Sequence, residues 1–475
     1  MSNVAAADRW LPWAVLWVGV ITAYRIVMLA FDSTDLFVDE AQYWLWGQDL
    51  AFGYYSKPPM IGWVIRLSTE VGGSDAPFWV RLPGAIFHGA TALILAAIAA
   101  HSFGARAASV AVAVAYATLP VVTVGSFLIS TDTVMFPFLA LALLCWLRVL
   151  GGAGWGWAVT AGSALGLAFL SKYAAAYYVM GAILAAIFGA QARPSWRNAG
   201  LGLMAFCIVI APNILWNLVN GAHTVEHTLD NADWVRDPGT RAAFNWAGLA
   251  EFFGNQFIVF GPVFFGALLW LWARLRGVFL WFSLPIVLLV CGQAFLSQAY
   301  ANWAAAAYLA GTLMVVPWLA LNHRHWLTGS LVLHGIFAAT IPLGAIFAAS
   351  AAPDSLLERV YGRYLGQTAF SEAILTAAQR DGVTAIVADN RDVLADLFYT
   401  GRDAGLPIYA KPRAGRARNH YELNHSYGGT QPGRVLFVGR NVPDACNPSP
   451  TKLEHPAPDQ RIAAYVIDGT CWGDP

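Results

Sequence analysis

Few side chains in this sequence combine reactive chemistry with a place to use it. The densest set is Phe37-Val38-Asp39-Glu40-Ala41-Gln42-Tyr43-Trp44, a carboxylate pair opening an amphipathic stretch. A carboxylate within hydrogen-bond reach of a hydroxyl or amine serves as a general base. The structural alternative for Asp39 is a capping box with Gln42, three residues on; that accounts for one acid and leaves Glu40 over. Next comes Gly53-Tyr54-Tyr55-Ser56-Lys57-Pro58-Pro59-Met60. Its double proline keeps Lys57 extended and starts a helix, so the ammonium stands on a stiff corner, as a phosphate receptor or a snorkelling lysine. A further acid, Asp132, follows Ser130-Thr131, where N-capping is the plain alternative. Lys172 follows Leu170-Ser171, where a cation at a helix C-terminus is favoured by the macrodipole.

Other polar residues carry less weight. Asn302 and Trp303 suit sugar hydrogen bonding and stacking, or an interfacial anchor. Arg81 lines a cavity or snorkels. His223, Glu226 and His227 supply too few ligands for a zinc site and read as a polar loop helix. Lys411, Arg413, Arg416 and Arg418 form a basic cluster that meets anionic lipid or lipopolysaccharide, or is a solvated loop. No metal-ligand spacing such as CxxC or HExxH is present.

The elements that position these residues follow from composition. Of the 475 residues, 58% are apolar and 12% charged, against roughly 25% charged in a soluble domain. The apolar residues fall into blocks of about 20, enough to cross a hydrocarbon core of about 30 Å. An ordinary soluble enzyme is excluded. The 28 basic and 28 acidic residues cancel, so no global field draws in nucleic acid. Eleven spans are predicted, at about 11–31, 78–100, 106–127, 133–150, 155–171, 174–190, 198–218, 247–272, 278–296, 301–320 and 327–349. With the N-terminus inside, the short inner loops carry Arg106, Arg148, Arg193, Arg197, Arg274, Arg276 and Arg324, the positive-inside pattern. The first span is read as retained, because its apolar stretch is too long for a cleaved signal.

This topology leaves three outer segments. The loop 32–77 contains two amphipathic stretches, Asp39 to Leu50 and Pro58 to Val71, whose Trp44, Trp46 and Trp63 suit helices lying in the interface. The loop 219–245 is rich in His, Asn and Asp. The tail 351–475 alternates helical and strand periods: a helix at Ser371 to Arg380, a strand at 384–388, a helix near Val393 to Thr400, and strands at 435–438 and 463–467. That pattern predicts a small α/β domain after a transmembrane domain at 1–350. Cys446 and Cys471 are the two cysteines of this exported tail, where a disulfide persists if it forms. Asp39, Lys57, Asp132 and Lys172, from four segments, all fall on the outer face of a topology derived without them.

Asp39-Glu40, Tyr54-Tyr55-Ser56-Lys57-Pro58-Pro59, Thr131-Asp132, Ser171-Lys172-Tyr173 and Ala301-Asn302-Trp303-Ala304 together resemble the bacterial members of the protein-mannosyltransferase and aminoarabinose-transferase group, glycosyltransferases of the GT-C architecture. The likeness covers roughly residues 10 to 350; in the tail only Asn419-His420-Tyr421-Glu422-Leu423 shares it. It implies a sugar donor on a polyprenyl phosphate and transfer on the periplasmic side of a bacterial inner membrane. It further implies that Asp39 is the catalytic carboxylate of the first loop, with Glu40 beside it, and that Asp132 is a second carboxylate of the site. Lys57 then contacts the donor phosphate, Lys172 lines the same cavity, and Tyr43, Tyr54 and Tyr55 neighbour phosphate or sugar. The short tail, without an inserted carbohydrate-binding module, favours an envelope glycolipid such as lipid A or its core over a protein acceptor.

The chemistry is consistent with that group. A prenyl chain, at roughly 0.8 kcal/mol per buried CH2, stays in the bilayer, so its enzyme needs an apolar groove with a polar site at headgroup depth. Phosphate is already a good leaving group, so cations and one carboxylate suffice. The expectation is a monomeric, inverting transferase with no required cofactor or metal. A lipid-linked-sugar flippase is the rival, although transporters usually show paired halves with broken helices, and no internal repeat is visible here.

Overall fold

The computed structural model describes residues 10–231, 244–274, 277–429, 433–440, 442, 446–455 and 461–472. Arg276, and residues 232–243 of the loop 219–245, lie outside them. The chain is mainly helical and divides into two compact units, one formed by Met1–Phe31 with Lys57–Leu343, the other by Asp32–Ser56 with Gly344–Pro475. Hydropathy sets the division at 350/351; by packing, the first part of the first outer loop groups with the tail.

The larger unit is a bundle of apolar helices. In chain order they are α1 (Trp10–Ala30), α3 (Met60–Gly72), α4 (Pro77–Phe103), α5 (Arg106–Thr118), α6 (Pro120–Gly125), α7 (Thr131–Leu150), α8 (Trp155–Ser171), α9 (Ala176–Phe188), α10 (Trp196–Val219), α11 (His223–Asn231), α12 (Trp246–Val259), α13 (Pro262–Arg274), α14 (Val278–Trp281), α15 (Leu284–Leu296), α16 (Ala307–Asn322) and α17 (Arg324–Ile346); α2 belongs to the second unit. Six described helices are long and apolar enough to cross a membrane, and a seventh span results if one bent pair is counted as one.

Small residues let these helices approach closely. A Cβ on Gly162 of α8 would lie 2.0 Å from the Gly202 carbonyl oxygen of α10, the close contact that membrane bundles use in place of a hydrophobic drive. Several expected spans are broken, two of them just before a proline. The stretch 247–272 bends by 113° between α12 and α13. Gly261 there has φ +93°, and a Cβ on it would sit 2.0 Å from His334 Nε2; Pro262 then starts α13. The stretch 106–127 breaks at Leu119-Pro120 for the same lack of a proline N–H.

The smaller unit contains a five-stranded sheet in the order β2-β1-β3-β5-β4. Its strands are β1 (Ala385–Ala388), β2 (Ile408–Ala410), β3 (Arg434–Gly439), β4 (Ser449–Thr451) and β5 (Ala463–Asp468). β1 is parallel to both β2 and β3, while β5 runs antiparallel to β3 and β4. β1 is an interior strand between β2 and β3, and all four of its residues, Ala385 to Ala388, are buried, as expected of a strand covered on both faces. Around it stand α18 (Leu356–Tyr361), α19 (Gln367–Arg380), α20 (Arg391–Thr400) and α21 (His420–Asn424), together with α2 (Val38–Gln48). Cys446 and Cys471 form a disulfide with Cα atoms 5.0 Å apart.

Trp44 and Trp46 of α2 serve as packing residues of the smaller unit: Trp46 is 1% exposed, stacked on Tyr54 with ring centres 4.8 Å apart, and Trp44 meets Tyr399 of α20 edge-on at 5.0 Å. The tail elements cover the apolar face that the sequence leaves without a partner.

Candidate active site

The first carboxylate centre is built on α2. The Phe37 amide, at the start of this helix, donates to Glu40 Oε2 at 3.0 Å. The buried Glu40, not Asp39, therefore caps the helix. Asp39 is thereby released from the capping role and turns to Arg391, whose Nη2 donates to Asp39 Oδ1. Arg391 Nε donates to Gln42 Oε1 at 3.0 Å, so one planar guanidinium fixes an acid and an amide that lie on one face of α2. Asp39 stays 44% exposed and Arg391 36%, and the other Asp39 oxygen has no hydrogen-bond donor among the described residues. Burial acts to lower the Arg391 pKa, but the Asp39 charge and hydrogen bond outweigh it and raise the value.

Arg391 is the first residue of α20, and the Asn390 side chain caps that helix by accepting from the Asp392 amide at 2.7 Å. Arg391 is absent from the candidates legible in the sequence. A signal existed: a cation in the first helical turn opposes the macrodipole and asks for a nearby anion.

The aromatic residues of the segment serve mainly to build the centre. Tyr54 donates its hydroxyl to the Trp46 carbonyl at 2.7 Å, and burial pushes its pKa up to about 12. Tyr55 donates to the Ala417 carbonyl at 3.1 Å. Tyr43 packs on Trp46 with ring centres 5.3 Å apart. His420 meets Trp46 edge-on at 5.8 Å; burial, followed by the charges of His425 and Arg391, pushes its pKa down to about 3.

The second centre lies in the helical unit. Ser130 Oγ accepts from the Thr133 amide at 3.3 Å and caps α7, which leaves Asp132 clear of that task too. Lys172 Nζ donates to Asp132 Oδ1 at 2.8 Å and Oδ2 at 2.7 Å. Asn302 Nδ2 adds a third bond to Oδ2 at 2.8 Å. Lys172 ends α8 in an extended conformation, which aims its side chain across to α7 rather than along its own helix. Beside it, Tyr173 donates to Asn213 Oδ1 at 3.0 Å and accepts from Asn217 Nδ2 at 3.2 Å. Trp303 sits next to Asn302 and meets Tyr300 edge-on at 5.6 Å.

The remaining candidates are placed as follows. Lys57 is half-buried at the Pro58-Pro59 corner, one turn before α3. Arg81 is buried within α4 and does not snorkel. Between α7, α8, α9 and α10 runs an apolar groove of about 950 Å³, lined by residues such as Leu143, Trp146, Leu165 and Phe206. It occupies the part of these helices away from Asp132, so the polar site and this groove lie toward opposite ends of α7.

A multi-pass helical membrane protein with two carboxylate centres, one in each unit, is what this fold and these residues define. Residues 56–216 match the family described as dolichyl-phosphate-mannose-protein mannosyltransferase. Over 468 residues the chain is 39% identical to the lipid A galacturonosyltransferase RgtD of Rhizobium johnstonii, covering 95% of this chain and 97% of that one. ArnT from Cupriavidus metallidurans has the same fold. Its apo structure aligns at TM-score 0.63 and 16% identity over 98% of this chain and 99% of ArnT. Its complex with undecaprenyl phosphate aligns at 0.65 and 16% over 96% and 98%. The chain belongs to the GT-C family of membrane glycosyltransferases.

Proposed function

We propose that this glycosyltransferase moves a uronic acid, or a related sugar, from a polyprenyl phosphate to lipid A or a similar envelope glycolipid. The near full-length likeness to a lipid A galacturonosyltransferase carries this reading. In the reaction, an acceptor hydroxyl oxygen attacks the anomeric carbon, the bond from that carbon to the phosphate oxygen breaks, and polyprenyl phosphate leaves with the bonding pair. Asp39 takes the hydroxyl proton on its open oxygen while Arg391 and Gln42 hold the carboxylate in place. Lys57 and Lys172 stabilise the charge developing on phosphate, with no divalent metal required. A single displacement inverts the anomeric centre. The monomeric chain sits in a bacterial inner membrane with eleven spans, N-terminus inside, and both Asp39 and the C-terminal α/β unit on the periplasmic side.

Mass spectrometry of lipid A from cells lacking the protein, complemented with the intact chain or with Asp39→Asn, tests the proposal. A uronate-sized mass is expected to return only with the intact chain, and activity in membranes is expected to survive EDTA. Return of the complete glycolipid with Asp39→Asn removes Asp39 from the chemistry. The match of residues 56–216 to protein mannosyltransferases supports a second reading, a protein hydroxyl as acceptor; unchanged glycolipids together with a lost glycoprotein would favour it.

A further inference from the structure

We infer that a pocket in the smaller unit binds an anionic saccharide, a sugar carrying a phosphate or a carboxylate. The pocket encloses about 290 Å³ at the carboxyl ends of β1 and β2 and is lined by Asp389, Leu394, Lys411, Arg413, Arg418 and Glu422 among others. Ligands of open α/β sheets gather outside this end of the strands, and the volume is at the lower limit of small-molecule sites, about 300 Å³.

Three cations, Lys411, Arg413 and Arg418, line the pocket beside two acids, Asp389 and Glu422. Arg413 and Arg418 are exposed and make no side-chain bond to any described residue. Glu422 is already engaged: Oε2 accepts from the Arg418 amide at 2.7 Å and Oε1 from Asn419 Nδ2 at 3.2 Å, capping α21. The Lys411 ammonium lies 5.3 Å from the centre of the Phe437 ring, and the Lys411 amide donates to the Ala388 carbonyl at 2.8 Å. The loops after β1 and β2 are thus joined before any ligand arrives. Convergent guanidinium groups of this kind suit a phosphate or carboxylate, which they grip with charge-assisted, bidentate bonds.

Asp389 makes the ligand a sugar rather than a bare anion. Its Oδ2 accepts from the Arg440 amide at 3.3 Å, while Oδ1 has no donor among the described residues. An acceptor of this kind repels inorganic phosphate and takes a bond from a sugar hydroxyl. Gly439 permits the arrangement, because a Cβ there would meet Asp389 Oδ1 at 2.6 Å. Asp389 also stands two residues before Arg391, so one loop serves this pocket and the Asp39 centre. The inference does not rest on the transfer reading, since binding is measured without turnover.

Calorimetry on the full chain in nanodiscs of zwitterionic lipid, at about 0.15 M salt, tests the pocket with glucose 1-phosphate, galacturonate, galactose and inorganic phosphate as probes. The two anionic sugars are expected to bind, and both galactose and inorganic phosphate to bind at least tenfold more weakly. Arg413→Ala with Arg418→Ala is expected to weaken the anionic sugars at least tenfold at unchanged melting temperature, since both side chains are exposed. Asp389→Asn is expected to erase the preference over inorganic phosphate. Discs containing lipid A then separate the two sources of ligand: displacement of glucose 1-phosphate assigns a lipid-borne saccharide, and no displacement assigns a free one. Unchanged affinity in the double arginine variant overturns the inference. So does displacement by phosphatidylglycerol discs, which would reduce the pocket to a patch of charge.

Discussion

The two carboxylate centres differ in how completely their acids are satisfied. Asp132 accepts from Lys172 on both oxygens and from Asn302 on one, and the two charged side chains are only 10% and 18% exposed. Asp39 is gripped through one oxygen, by a guanidinium from an element 352 residues away in sequence, and stays half-exposed. A saturated acid in a low-dielectric setting fixes geometry and field; an acid with an open oxygen is able to receive a proton. In the proposed mechanism this difference gives the proton to Asp39 and the framework to Asp132.

The strongest test of that division is Asp39→Asn, which keeps the shape and the Arg391 contact but removes the base. Sugar transfer measured in nanodiscs is expected to fall by about 10² to 10⁴ with little change in melting temperature. A loss of stability without a loss of rate would reverse the two roles.

Asp132→Ala is expected to act on stability first. It strands the part-buried Lys172 charge at a cost of up to about 3–5 kcal/mol, whereas removing both partners costs less than the sum of the single changes. Thermal unfolding of the two single variants and the double variant gives the coupling; additivity would mean that the pair is not a unit.

A third test uses proton linkage in the smaller unit. Burial pushes the Asp396 carboxyl on α20 up to about 6 from 3.8. Its folded form therefore holds a proton that the unfolded chain releases, and its contribution is full below about pH 4 and lost as pH rises through about 6. Asp396→Asn is expected to recover up to about 3 kcal/mol at neutral pH and to flatten the slope between pH 4 and 6. His420, pushed down to about 3 from 6.5, works in the opposite sense, losing stability as pH falls from about 6.5. Substituting His420 with Asn should therefore change the slope in the other direction, and unfolding curves across pH 4 to 7 that shift alike for both variants would contradict the assignment.

The smallest effect is expected from Arg391→Lys. Lysine keeps the charge near Asp39 but cannot span Asp39 and Gln42 together. Transfer is expected to drop about tenfold, or roughly 1.4 kcal/mol, with donor binding unchanged. A full loss of rate would mean that Arg391 touches substrate.

How far the sequence reveals these centres depends on how local each signal is. Apolar blocks locate helical stretches, since hydrophobic length is written residue by residue, but of the eleven expected spans six or seven are long and apolar enough to cross a membrane among the described residues; the break at Gly261-Pro262 was present as a Gly-Pro pair. In the tail, alternating periods locate α19, β1, α20, β3 and β5, while the three-residue strands β2 and β4 are too short to carry a period. At Asp39 and Asp132 the capping alternatives were sound in kind but fell on neighbouring residues, Glu40 and Ser130. The Lys172 and Asn302 partnership was foreshadowed by topology. Arg391 was not, because nothing near Asp39 in sequence points to a residue 352 positions on.

The smaller unit is assembled from Asp32–Ser56 and Gly344–Pro475, which has a consequence for synthesis. At roughly 5–20 residues per second, the 352 positions between Asp39 and Arg391 take roughly 20 to 70 s to translate. For that interval α2 has been made while the helix that covers Trp44 and carries Arg391 has not. A chain stopped before residue 391 retains Asp39 but never gains the guanidinium that holds it, so this carboxylate is set in place only once translation has passed residue 391.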